Sequence, residues 1–120
     1  MRFGLLALWL LACGGKKVET GMASWYGKEL RGNPTASGEP FRPARRTCAH
    51  RSLPFGTVLK VTNPTTGQSV RVVVNDRGPF VGGRVLDLSK GAARRIGLID
   101  QGVGEVQFKV VGCKGSYDDC

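Results

Sequence analysis

Past an apolar run at residues 3–12, hydrophobic positions come as short β-branched or aromatic stretches separated by Gly, Pro, Asn and Ser. That spacing predicts strands joined by turns. Residues 22–26, rich in aromatics, read as a first strand. Residues 58–63 and 69–75 are β-branched runs on either side of Pro64-Thr65-Thr66-Gly67, which predicts a hairpin. A further strand is expected at 85–88, then a short helix over 90–96 with Ser89 as its N-cap and Gly97 beyond its end. Val106, Phe108 and Val110 alternate as a last strand, and residues 32–43, full of Gly, Pro and Ser, read as a long loop of the kind that often carries chemistry. Many short strands, one short helix and 18 glycines predict a small closed all-β barrel, not a helical domain or a doubly wound sheet.

The apolar run is too short to cross a bilayer, which takes about 20 residues, because it breaks at Gly14-Gly15-Lys16-Lys17. With Arg2 before it and small Ala12 at its end it predicts a secretory signal over residues 1–12. Leu10-Leu11-Ala12-Cys13 resembles a lipobox, which implies that Cys13 is lipidated and membrane-anchored. Gly14 stands where an inner-membrane retention signal would show Asp, so the resemblance implies an outer-membrane lipoprotein facing the periplasm. Residues 13–20 then form the lipidated start and a short tether, residues 21–112 the domain, and residues 113–120 a polar tail.

Export changes the meaning of the cysteines and of the charge. In an oxidising compartment, Cys48 with Cys113 would tie an early segment to the last strand, and Cys113 with Cys120 would close a tail loop; the sequence leaves both open. The formal charge of +9 becomes 17 basic minus 9 acidic residues, or +8, once the signal with Arg2 is gone. Such a balance seeks polyanions. Nucleic acid is excluded as the expected partner by export and by the lack of a recognition helix or finger pattern. Anionic lipid head groups and peptidoglycan remain, the latter because muramic acid exposes lactyl carboxylates wherever stem peptides have been removed. A merely solvated basic surface is the plainer alternative.

Four clusters stand out: Gly21-Met22-Ala23-Ser24-Trp25-Tyr26-Gly27, Thr35-Ala36-Ser37-Gly38-Glu39, Cys48-Ala49-His50 with Leu53-Pro54-Phe55-Gly56-Thr57, and Asn75-Asp76-Arg77-Gly78-Pro79-Phe80. With Gly83-Arg84-Val85-Leu86-Asp87-Leu88-Ser89, their order resembles the rare lipoprotein A family from about Gly21 to Val111. The resemblance implies a six-stranded double-psi β-barrel, akin to expansins, with a groove for polysaccharide. It also implies lytic transglycosylase activity on peptidoglycan glycan poor in stem peptides, with Glu39, His50 and Asp76 as functional groups. No cofactor or metal is expected, and the protein is expected to be a monomer. Many relatives carry a C-terminal sporulation-related repeat that directs them to the septum; the resemblance does not carry that targeting over to these residues. Cys48 stands where alanine is common in the family, which suggests a disulfide variant.

Chemically, a lytic transglycosylase manages with a single carboxyl group, which protonates the leaving oxygen and later accepts a proton. Asp76 is the expected acid and base, since it ends a strand where partial desolvation favours the protonated form. The alternative is that Asp76 caps the turn through Gly78-Pro79 or pairs with Arg77. Glu39 would orient Asp76 or substrate, or stand as a solvated loop charge; His50 would bind a sugar hydroxyl or steer Asp76, or be a satisfied structural group. Of Trp25 and Tyr26, alternation predicts one in the core and one as a platform for a sugar ring. Ser24, Ser37, Asn75, Arg77 and Arg84 are further candidate substrate ligands. A non-catalytic, expansin-like glycan-binding lipoprotein is the alternative function.

Overall fold

A computed structural model describes residues 17–113. The expected signal at 1–12, the lipidation site Cys13 and the tail at 114–120 lie outside the described residues.

The described residues form six strands and one helix: β1 (Glu19–Tyr26), β2 (Thr47–Ala49), β3 (Thr57–Thr62), β4 (Ser69–Asp76), β5 (Arg84–Ser89), α1 (Lys90–Arg95) and β6 (Gly104–Cys113), with a 3-10 turn at Lys28–Leu30. The strands close in the order β1-β5-β2-β4-β3-β6. β1 runs parallel to β5 and β2 parallel to β4, and the other neighbours are antiparallel. Two parallel pairs set among antiparallel ones in a closed ring of six are the double-psi arrangement.

Alternation builds the core. Leu59 and Val61 of β3, Val70, Val72 and Val74 of β4, and Val106 and Phe108 of β6 point inward, while Lys60, Arg71, Glu105 and Gln107 point out. The expected hairpin is present, with Leu59 opposite Val72 and Val61 opposite Val70, so inward residues share a face. The expected helix starts where its cap predicts: Ser89 Oγ accepts from the Ala92 amide at 3.3 Å. It ends at Arg95, one residue early, and Gly97 beyond it adopts a positive φ of 73°. Gly91 permits the helix to sit against the 43–45 segment, because a Cβ there would lie 2.7 Å from the Ala44 carbonyl oxygen.

β2 was not anticipated. Three residues are too few to show a period. They become a strand because both neighbours pair with them, Cys48 lying beside Val74 of β4 and Leu88 of β5.

That placement rules out Cys48–Cys113, one of the two pairings the sequence left open. Cys48 is a free, fully buried thiol in the barrel wall, and β2 is not a neighbour of β6, where Cys113 lies. Cys113 is disulfide-bonded to a different cysteine. Burial, and after it the charge of Asp87, pushes the Cys48 thiol far above its ordinary value. Native protein treated with iodoacetamide is therefore expected to leave Cys48 unmodified, and urea to expose it; alkylation of the Cys48 peptide under native conditions, read by mass spectrometry, would contradict this.

Candidate active site

The parallel pairing of β1 and β5 places Ser24 beside Asp87, and that of β2 and β4 places Ala49 beside Asp76. These positions open onto one cleft of about 260 Å³, walled by Trp25, Tyr26, Leu30, Arg77 and Arg84 together with Ser24, Ala49, Asp76 and Asp87.

Asp76 uses one carboxyl oxygen structurally. Its Oδ1 accepts from the amides of Ala36 and Arg77, each at 2.9 Å, and the Tyr26 hydroxyl lies near enough to the carboxylate to act on it, short of a full hydrogen bond. Oδ1 thus holds the backbone at Ala36 and Arg77 and does not cap the turn through Gly78-Pro79, while the side chain also walls the cleft. The same contacts dock the 35–39 loop on the end of β4, helped by the Ser37 amide donating to the Asn75 carbonyl at 3.2 Å. Within that loop Thr35 Oγ1 donates to the Glu39 carbonyl at 2.8 Å, and Ser37 Oγ lies 2.9 Å from Thr35 Oγ1 and donates to Glu39 Oε1 at 3.4 Å. Glu39 itself is exposed and does not wall the cleft.

Arg77 does not pair with Asp76. Its guanidinium lies 4.0 Å above the Phe55 ring and donates to the His50 carbonyl at 3.3 Å.

The His50 ring serves its own turn. Nδ1 accepts from the amides of Ser52 and Leu53, both at 3.0 Å, which places the proton of the neutral ring on Nε2, and the ring sits edge-on to Phe108 with centroids 6.1 Å apart. No hydrogen bond joins it to Asp76 among the described residues; the link is from the His50 amide to the Asp76 carbonyl, at 3.2 Å. Loss of water lowers the His50 pKa below its ordinary value; Arg77 and Arg51 add to this and Glu19 opposes it. The unfolded chain therefore takes up this proton at a higher pH than the folded one. His50's contribution to stability is whole above the ordinary value of 6.5 and is lost as pH falls from there toward the lowered value. Urea midpoints of the protein are expected to fall over that interval more steeply than those of His50→Gln, and parallel curves would contradict the shift.

Trp25 and Tyr26 do not divide as alternation predicts, because the inward-outward pattern of β1 breaks over its last four residues. Trp25 both packs on the core and reaches the cleft; Tyr26 stacks on Phe41 at 4.6 Å and also walls the cleft. The Tyr26 hydroxyl is buried without a hydrogen-bond partner. Burial, and after it the nearby Asp76 charge, pushes this phenol far above its ordinary value, so it stays a donor. Arg84 Nε is likewise buried and unpartnered, as is Asn75 Oδ1, although Asn75 does not wall the cleft. Unmet polar atoms are rare in native interiors, and two of them, on Tyr26 and Arg84, belong to residues that wall this cleft.

Asp87 was missed as a site residue. It receives the hydroxyl of Ser24 in a short hydrogen bond and brings a second carboxylate to the cleft. The available signal was an acid between Leu86 and Leu88 in a strand otherwise apolar at its centre. Arg51 was missed as well: its guanidinium donates to the carbonyls of Pro79 at 2.7 Å, Arg84 at 3.0 Å and Val81 at 3.3 Å. It thereby braces a loop that carries Phe80, 80% exposed, between two cleft-wall residues.

A closed double-psi barrel with two carboxylates, two half-buried arginines and a buried phenol at one cleft defines a class of small barrels with a polar cleft of mixed charge. Residues 18–108 match the family model described as lytic transglycolase. A probable endolytic peptidoglycan transglycosylase RlpA of a Synechocystis species is 57% identical over 96 residues, covering 80% of this chain and 30% of that protein. The endolytic peptidoglycan transglycosylase RlpA of Campylobacter jejuni is 49% identical over 92 residues, covering 77% of this chain and 34% of its own length. This chain belongs to the rare lipoprotein A family, and spans about a third of the length of those two relatives. Among solved structures, an expansin of Clavibacter michiganensis superposes with a TM-score of 0.65 at 29% identity, over 83% of this chain and 53% of that one. A Streptomyces papain inhibitor shares the fold, with a TM-score of 0.65 at 24% identity, over 80% of this chain and 96% of its own.

Proposed function

We propose that the protein is an endolytic lytic transglycosylase that cleaves peptidoglycan glycan strands poor in stem peptides and leaves 1,6-anhydro-muramic acid ends. The observation that carries this reading is the Asp76 carboxyl at the cleft wall, anchored through Oδ1 by two backbone amides with the Tyr26 phenol beside it. An acid held in one orientation at a cleft suits proton transfer to a fixed oxygen. Asp76 donates its proton to the leaving glycosidic oxygen as the bond to the muramic acid C1 breaks. The C6 hydroxyl of the same sugar then attacks C1, and Asp76 accepts the hydroxyl proton, so no water is consumed. Tyr26 and Arg84 supply donors for sugar oxygens, Trp25 an apolar face, and Ser24 keeps the Asp87 carboxylate in place beneath them. Glu39 and His50 act from outside this cleft, by holding the two segments that dock beside Asp76. The reading extends to location: Cys13 anchors the protein by lipid to the outer membrane, facing the periplasm.

The test incubates the full chain with intact and with amidase-stripped sacculi and analyses soluble products by mass spectrometry. Anhydro-muramic fragments from stripped glycan are expected. Reducing ends bearing an added water would make the protein a hydrolase. Glycan retained without any product would favour the expansin-like binding reading, for which the similarity to the Clavibacter michiganensis expansin speaks.

A further inference from the structure

A second concavity lies at the other end of β4. It has a volume of about 660 Å³, against about 260 Å³ for the cleft, and is lined by Arg46, Gln68, Ser69, Gly91, Arg94 and Arg95. Ser69 begins β4 and Asp76 ends it, so seven steps of about 3.3 Å put the groove roughly 23 Å from the acid. Three exposed arginines line it without an acidic neighbour in the lining, and no guanidinium of the three makes a hydrogen bond or ion pair among the described residues.

Arg94 and Arg95 occupy the last turn of α1, where cations also complement the helix dipole. Arg46 does not: it arrives from the segment before β2. Gathering it to the same groove serves no helix end.

We propose that this groove is a second glycan subsite that binds the free lactyl carboxylates of muramic acid on strands stripped of stem peptides. The inference rests on the reading of the cleft as a peptidoglycan site. Guanidinium forks match planar carboxylates in a way that a point charge does not, and every cation lining the groove is arginine. A bilayer surface is the competing polyanion, and basic surfaces that insert into bilayers present apolar side chains beside the cations. The large exposed hydrophobics, Val18, Met22, Leu30, Phe80, Val81 and Val103, do not line this groove. A stem peptide amidated to the lactyl group removes the carboxylate that the groove reads, so the subsite gives a physical basis for preferring stripped strands. It also requires a strand long enough to reach from the groove to the cleft, which favours cutting within long strands.

The test compares the full chain with an Arg46→Gln, Arg94→Gln, Arg95→Gln triple variant and with the matching Arg→Lys triple. Co-sedimentation with stripped sacculi is measured beside stripped sacculi whose carboxyls have been amidated by carbodiimide and an amine. The Gln triple is expected to bind stripped glycan about tenfold more weakly, at an unchanged melting temperature, and the Lys triple to fall between. Amidated sacculi are expected to bind the unaltered protein as weakly as stripped sacculi bind the Gln triple. For cleavage, KM is expected to rise and kcat to hold within about twofold. Equal binding of both proteins to stripped glycan would overturn the subsite, as would a tenfold loss that persists on amidated sacculi. Loss of binding only to phosphatidylglycerol vesicles would assign the groove to the membrane instead. Binding that follows this pattern without anhydro products would retain the subsite and sink the transglycosylase reading; cleavage that ignores the three arginines would do the reverse.

Discussion

Asp76→Asn is expected to lower kcat/KM for stripped glycan by about 10²- to 10⁴-fold, the range that a positioned general acid contributes, while binding and melting temperature hold. The substitution is selective because of how the carboxyl is held. The asparagine oxygen replaces Oδ1 as acceptor for the Ala36 and Arg77 amides, so the 35–39 loop stays docked. The amide nitrogen replaces Oδ2, and it can neither give up nor accept the proton that the reaction moves. Asp76→Ala is expected to behave differently, losing activity and also about 1–3 kcal/mol of stability, because two backbone amides lose their acceptor. Initial rates of anhydro-end release together with urea titrations separate the two effects. If Asp76→Asn keeps more than about a tenth of the activity and Asp87→Asn does not, Asp87 is the acid and Asp76 only a loop anchor.

Leu86→Ala is expected to give the largest loss of stability among single truncations near the site. Leu86 is fully buried, lies opposite Ala23 of β1 and belongs to the central cluster that also holds Leu59, Val72 and Val106. Ala23 has no bulk with which to fill the space. Truncation of a buried leucine costs about 2–5 kcal/mol, against a total of about 5–15 kcal/mol for a domain, and for one of this size that lowers the melting temperature by on the order of 10 to 20 °C. Asp87 follows directly in the strand, so the loss of activity should exceed what the unfolded fraction explains at assay temperature. A cost below about 1 kcal/mol in urea would mean that the barrel collapses around the gap.

Local order was legible where a period had room to repeat. The β3–β4 hairpin, the Ser89 cap and the alternation of β6 all rest on residues within about fifteen positions of each other. β2, with three residues, lay below that horizon, and the end of β1 left its alternation. Asp76 stood out as a candidate through its place at the end of a β-branched run. Asp87 did not, because its one signal, an acid set between Leu86 and Leu88, does not tell whether that acid faces water or a cleft.

By itself the sequence determined the class of fold, the hairpin, the helix start, the family and five of the polar residues that meet in the cleft: Ser24, Tyr26, Asp76, Arg77 and Arg84. Tertiary structure alone decided that Asp87 joins Asp76, that the Asp76 side chain both anchors a loop and walls a cleft, that Cys48 is sealed in the wall, and that three arginines share a groove. The reason lies in chain separation. Ser24 meets Asp87 across 63 positions, and Ala36 meets Asp76 across 40. Such contacts follow from the order in which strands close the barrel, and that order is set by the burial of all inward faces at once, which no local stretch of sequence records.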